Sequence, residues 1–171
     1  IIITNGGSEA LTYVIATVAN ADDEIIIPEP YYANYISFSE AFDAICVPIT
    51  SSFDNNFALP PIEEFEKKIT PKTKAFLICN PGNPTGYLYS KEEILQLAAI
   101  AKKYDIFLIF DEVYREFVYD GAQHFSIMQV PDIEQNAIMI DSVSKRFSMC
   151  GARIGWVVSK NKEVMKSILK F

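Results

Sequence analysis

The sequence has one histidine, His124, and three cysteines, Cys46, Cys79 and Cys150. One imidazole cannot form a histidine cluster, and no Cys-x-x-Cys pair occurs, so no metal site is expected. An odd set of thiols in or beside apolar segments reads as buried and reduced, the pattern of a cytoplasmic protein. Basic residues are outnumbered, with Lys+Arg 15 against Asp+Glu 22 and a net charge of −7. Without a cation excess to displace counterions from phosphates, no nucleic-acid or anionic-membrane partner is expected. No apolar run approaches the roughly 18 residues of a membrane span, and no basic segment precedes an apolar one as in a secretory leader. The loop G-x-x-x-x-G-K-[ST] is missing too, which argues against a nucleoside triphosphatase.

What remains is the balance of a globular domain. The chain has 171 residues, 50% hydrophobic and 22% charged. A domain of that length buries roughly two-thirds of the surface its unfolded chain exposes. It begins at Ile1-Ile2-Ile3 in a strand pattern and stops at Lys170-Phe171 in a helical one. These ends lead us to expect a piece of a longer polypeptide.

Short apolar runs predict buried strands at Ile1–Thr4, Glu24–Ile27, Ala44–Ile49, Lys74–Cys79, Ile106–Phe110 and Ala137–Ile140. Strands covered on both faces read this way, without polar alternation. Helical spacing links Ala10, Leu11, Val14, Ile15 and Val18, and again Ile62, Phe65 and Ile69. Ile94, Leu97, Ala98 and Ala101 fall at i, i+3, i+4 and i+7 after a capping box of Ser90 and Glu93. Thr50–Pro61, rich in Ser, Asn and Pro, reads as a loop. Gly155–Ser159 follows Ser142–Arg153 with no room for a crossover helix, so it is expected to run antiparallel. The predicted fold is α/β: a three-layer α/β/α domain on a mostly parallel seven-stranded sheet with one antiparallel strand.

Ligands of such sheets sit beyond the carboxyl ends of the strands. After the first strand comes Thr4-Asn5-Gly6-Gly7-Ser8-Glu9, a glycine turn into a helix expected to start near Ser8. Free amides and the positive end of a helix dipole can hold a phosphate there; the turn can also be plain punctuation. Asn80-Pro81-Gly82-Asn83-Pro84-Thr85-Gly86 is a turn stiffened by proline, which can be punctuation or can hold Asn83 toward the cleft. The strand Ile106–Phe110 runs into Asp111-Glu112, with Tyr114 close behind. The last parallel strand leads into Asp141-Ser142-Val143-Ser144-Lys145-Arg146. A lysine in an apolar crevice at a strand end would be desolvated and nucleophilic toward carbonyls; the alternative is a lysine that snorkels to water. Arg153 lies between Gly151 and Gly155, suited to a bidentate phosphate contact or to a surface ion pair.

Together and in this order, these segments and Pro28–Tyr35 resemble the large domain of class I/II aminotransferases, the fold-type I pyridoxal-phosphate enzymes. Within that family the likeness is to aspartate aminotransferases. The resemblance spans the chain, so residues 1–171 are expected to be a pyridoxal-phosphate-binding large domain. It implies that Lys145 forms the internal aldimine with pyridoxal 5'-phosphate and later moves a proton between the substrate Cα and the cofactor C4′. Asp111 would hold the pyridinium nitrogen protonated. Asn83 and Tyr114 would donate to the ring 3-oxygen, and Tyr32 would stack on the ring, with Tyr31 as its neighbour one register away. The phosphate would lie among Gly7, Ser8 and Glu9 amides, the Ser142 hydroxyl, Arg153 and Ser144. His124, Glu112 and the cysteines take no role.

The resemblance further implies amino-acid and 2-oxo-acid substrates, a homodimer, and an N-terminal segment and C-terminal small domain outside these residues. The family's arginine for the substrate α-carboxylate lies outside them too. Two alternatives stay open: another pyridoxal-phosphate reaction such as β-elimination or decarboxylation, and an aminotransferase-like sensor domain of a transcription regulator.

Overall fold

A computed structural model describes residues 1–171. The chain runs β1 (Ile2–Asn5), α1 (Gly6–Val18), β2 (Glu24–Glu29), α2 (Asn34–Glu40), β3 (Ile45–Thr50), α3 (Ile62–Lys68) and β4 (Thr73–Cys79). It continues through α4 (Lys91–Tyr104), β5 (Phe107–Asp111), β6 (Ala137–Ser142), α5 (Val143–Arg146), β7 (Ile154–Val158) and α6 (Lys162–Ile168). The seven strands form one sheet in the order β1-β7-β6-β5-β4-β2-β3. From β3 to β6 all neighbours are parallel, while β7 runs antiparallel to both β6 and β1. The three-layer fold and the single antiparallel strand read from the sequence are both present.

Two cores of 19 and 18 buried residues lie on opposite faces of the sheet. Their near-equal size explains why β4, β5 and β6 are apolar without alternation. One core packs β-strand residues such as Phe76, Phe110 and Met139 against Phe65 of α3 and Ile94 and Leu97 of α4. The other packs Leu77, Ile109 and Ile140 against Leu11 and Val14 of α1, Tyr35 of α2 and Ile168 of α6. The expectation of two covered faces fails at the edges, where Ile3 of β1 and Ile45 of β3 are exposed. An edge strand has a neighbour on one side only, so fewer helices reach across it.

Several local boundaries differ from expectation. Helix α1 begins at Gly6 rather than near Ser8. Gly6 has φ +79°, a conformation free of penalty only for glycine, so the strand turns straight into the helix. Helix α2 had no sequence signal, because only Tyr35 and Ser39 of it are buried and no apolar stripe forms. The Thr50–Pro61 loop holds one 3-10 turn, Phe53–Asn55, capped by the Ser52 hydroxyl. The capping box at α4 is present: Glu93 N–H donates to Ser90 Oγ at 3.2 Å, and Ser90 N–H to the Glu93 carboxylate at 2.7 Å. The thiols are free but not buried as expected, since Cys46 and Cys79 are half-buried and Cys150 is exposed. No group of three or more His, Cys, Asp or Glu side chains is placed to hold a metal. No helix is long and apolar enough to cross a membrane.

Candidate active site

A cavity of about 240 Å³ opens at the carboxyl ends of the central strands. Its wall is built from residues far apart in sequence: Gly7 and Ser8 of α1, Tyr32 before α2, Asn83 after β4, and Asp111 and Tyr114 at the end of β5. Ser142, Ser144, Lys145 and Arg153 complete it. Of the eleven residues expected to form the site, all but Glu9 line this cavity. The Glu9 carboxylate instead folds back onto the start of its own helix, accepting the Asn5 N–H at 2.6 Å. That contact satisfies an amide that the helix leaves unpaired.

One side of the cavity suits an anion. The N-terminal turn of α1, a helix of 13 residues, presents unpaired amides and the positive end of its dipole. Above it lies Arg153, whose guanidinium donates to the carbonyls of Cys150 at 2.9 Å and Asn5 at 3.2 Å. Arg153 makes no ion pair within the chain, so its charge is uncompensated. Its own φ of +53° aims the side chain back over Gly6. A Cβ at Gly6 would stand 2.1 Å from Arg153 Nη2, so a side chain there would push the guanidinium aside. Behind them, Gly155 of β7 presses on the same turn: a Cβ there would meet the Gly6 and Gly7 backbone at 2.4 to 2.7 Å. The Ser142 hydroxyl accepts the Ser144 N–H at 3.2 Å, capping α5 at the cavity wall.

The Asp111 side suits a positive group. Asp111 is buried, with Oδ2 accepting the Tyr35 hydroxyl at 2.8 Å and Oδ1 accepting the Val113 N–H at 3.2 Å. Burial pushes its carboxyl up to about 6, against the opposing pull of those hydrogen bonds. A positive group in the cavity would relieve this cost. Tyr32 lies with its ring edge-on to Tyr35, centroids 5.5 Å apart, and lines the cavity, whereas Tyr31 turns to a separate slit beside β2.

Of the two readings of Lys145, the one that reaches water holds. It is exposed, on a one-turn helix at the cavity rim, and not desolvated in an apolar crevice. Its Nζ lies 5.8 Å from the centre of the Tyr114 ring, a cation–π distance. The sequence reading missed Tyr35, Cys79 and Cys150 as wall residues. Tyr35 is on the helix that gave no periodic signal, and its bond to Asp111 spans 76 residues.

An open α/β sheet whose strand ends bring a lysine, a buried carboxylate, an arginine and a helix N-terminus to one cavity defines a ligand-binding α/β domain. The family follows from comparison: the model for "Aminotransferase class I and II" matches residues 1–171, and the chain belongs to that family. It is 38% identical over 159 residues to the putative aminotransferase YugH of Bacillus subtilis, covering 93% of this chain and 41% of that protein. It is 35% identical over 169 residues to the aspartate aminotransferase of Bacillus sp. YM-2, covering 98% and 43%. The solved aspartate aminotransferase of Thermotoga maritima superposes with a TM-score of 0.92 at 32% identity, covering 99% of this chain and 44% of that one. The chain thus spans about two-fifths of the length of these relatives.

Proposed function

We propose that residues 1–171 are the pyridoxal-phosphate-binding large domain of an aminotransferase that moves an amino group between an L-amino acid, aspartate or one like it, and a 2-oxo acid. The observation that carries this reading is the opposition, across one cavity, of Arg153 with the α1 amides on one side and buried Asp111 on the other, with Lys145 at the rim. The cavity matches an elongated ligand with an anionic end and a basic ring nitrogen. The aspartate aminotransferases among its relatives support the substrate class.

When bound, pyridoxal phosphate supplies an aldehyde that captures amines and a ring that accepts the electron pair left at the substrate Cα. The chain's residues bind and orient it. Gly7 and Ser8 amides, the Ser142 and Ser144 hydroxyls and Arg153 hold the phosphate; Glu9 contributes no side chain. Tyr32 would cover one ring face. Asn83 and Tyr114 would donate to the ring 3-oxygen. Asp111 would hold a proton on the ring nitrogen, and a positive charge there would offset the cost of burying the carboxylate. Lys145 Nζ would hold the aldehyde carbon and, as a free amine, could move a proton at the substrate Cα. The rest of the enzyme, which supplies the α-carboxylate contact and a homodimer partner, lies outside these residues, and the enzyme works in the cytoplasm.

The test is borohydride reduction of the full-length, cofactor-loaded protein, followed by peptide mapping. The pyridoxyl group is expected on Lys145. Labelling of a different lysine with Lys145 untouched would refute the assignment.

A further inference from the structure

Three adjacent strands end on pairs of residues that alternate across the sheet: Cys79 and Asn80 at β4, Asp111 and Glu112 at β5, Asp141 and Ser142 at β6. Cys79, Asp111 and Ser142 face the cavity. Asn80, Glu112 and Asp141 fall on the opposite face, each at 0% exposure, in line with Phe76, Phe110 and Met139 of the core beneath. Two carboxylates and a carboxamide are thus buried side by side, a costly arrangement unless each is partnered.

Glu112 is partnered from the segment around Ser126, and Asp141 from the segments that carry cavity residues. Glu112 Oε1 accepts the Ser126 hydroxyl and the Ile127 N–H, both at 2.9 Å. Asp141 Oδ1 accepts the Ser142 N–H at 2.7 Å. Asp141 Oδ2 accepts a hydrogen bond from Arg146 Nη2 and lies 3.8 Å from Arg115 Nη1. On the outer side, Glu116 meets the same two guanidiniums, 3.6 Å from Arg146 and 4.0 Å from Arg115. Four of the five buried polar side-chain atoms without a partner fall in this cluster: Asn80 Nδ2, Glu112 Oε2, His124 Nε2 and Arg146 Nε. Glu112 Oε2 and His124 Nε2 stand 3.8 Å apart, and Glu112 Oε2 and Arg115 Nη1 3.9 Å, both beyond hydrogen-bond length. Apolar packing alone would not place so much unsatisfied polarity here.

The two arginines explain its location. Arg115 directly follows Tyr114, and Arg146 directly follows Lys145. Lys145 stands on a single helical turn, too short to hold its own shape. Asp141 is the buried point at which the turn bearing Lys145 is tied to the turn bearing Tyr114.

We propose that Asp141, through Arg146 and Arg115, is a positioning residue that sets Lys145 against Tyr114, with Asn80 and Glu112 forming the rear support of the cofactor face. The proposal rests on the reading of Lys145 as the cofactor's lysine. Asp141→Asn keeps the size and the Ser142 contact but removes the charge that both guanidiniums face.

In the full-length holoenzyme this variant is expected to lower kcat about tenfold or more, the usual scale for a group that orients a catalytic side chain. KM should stay within about threefold, because no substrate contact is lost. The visible absorbance of the lysine-bound cofactor should titrate at a shifted pH, since the tyrosine and the lysine no longer hold their spacing. Asp141→Glu should recover part of both effects. Should Asp141→Asn not fold, Arg146→Met is judged by the same two readouts. A folded variant with an unchanged titration midpoint overturns the proposal, whether or not its kcat falls. Borohydride mapping of the unsubstituted protein runs beside it. Labelling away from Lys145 overturns the functional reading and this proposal together, whereas labelling on Lys145 with an unmoved midpoint overturns the proposal alone.

Discussion

Gly155→Ala tests the packing that builds the anion side of the cavity. A Cβ at this position would sit 2.4 Å from Gly6 C, 2.6 Å from Gly7 N and 2.7 Å from Gly6 O. All three are backbone atoms, so no side chain can swing away. Non-bonded carbons rest at about 3.5–4.0 Å, so the first turn of α1 must retreat by roughly 1 Å. Overpacking of this kind costs about 1–3 kcal/mol. The retreat also moves the Gly7 and Ser8 amides away from the phosphate position, and a loss of about 1.4 kcal/mol there is a tenfold weaker cofactor. The expected result in the full-length protein is a lower urea midpoint together with a pyridoxal-phosphate Kd raised at least about tenfold. Gly151→Ala is the control, because a Cβ there meets nothing within 4 Å. It should leave both measurements close to the parent. If Gly155→Ala matches the parent in midpoint and Kd, β7 does not press on the α1 turn as described, and the account of the anion side fails with it.

Two further substitutions separate the adjacent carboxylates. Asp111→Asn in the full-length enzyme should keep most cofactor binding and lose about a hundredfold or more in single-turnover rate, since its charge matters most as electrons enter the ring; a loss equalled by Glu112→Gln would mean the wrong carboxylate faces the cavity. Glu112→Gln instead should show itself in stability. Burial lifts Glu112 from 4.5 to about 7, so between those values the folded state holds a proton that the unfolded state has released, and the parent loses stability as pH rises. Gln does not titrate, so the variant should gain on the parent across that window in urea melts. A variant that does not gain on the parent as pH rises, or falls further behind it, would contradict the buried placement.

Much of this domain was legible in the sequence because its determinants are local. Continuous apolar runs mark strands covered on two faces, and the short spacing between β6 and β7 left room only for an antiparallel return. The residues that build the cavity follow strand ends directly, as Asp111 follows Phe110 and Lys145 follows Ser142 by three. Strand alternation alone also placed Asp111 and Glu112 on opposite faces. A family resemblance added roles to these positions, and the fold brought ten of the eleven to one cavity, leaving Glu9 to cap its own helix.

What the sequence could not express are pairings between distant segments. Helix α2 carries no apolar stripe, so neither its existence nor the Tyr35–Asp111 hydrogen bond could be read. Lys145 reads as a lysine at the end of a buried strand, yet whether it is buried depends on what packs around a single helical turn, and here it stands exposed. The row of Asn80, Glu112 and Asp141 becomes a cluster only when β4, β5 and β6 lie side by side and Arg115, His124 and Arg146 fold over their ends. Periodicity and turn chemistry act over a few residues and are written in the chain. Which buried charge meets which counter-charge is set by strand order and register, and those exist only in the folded sheet.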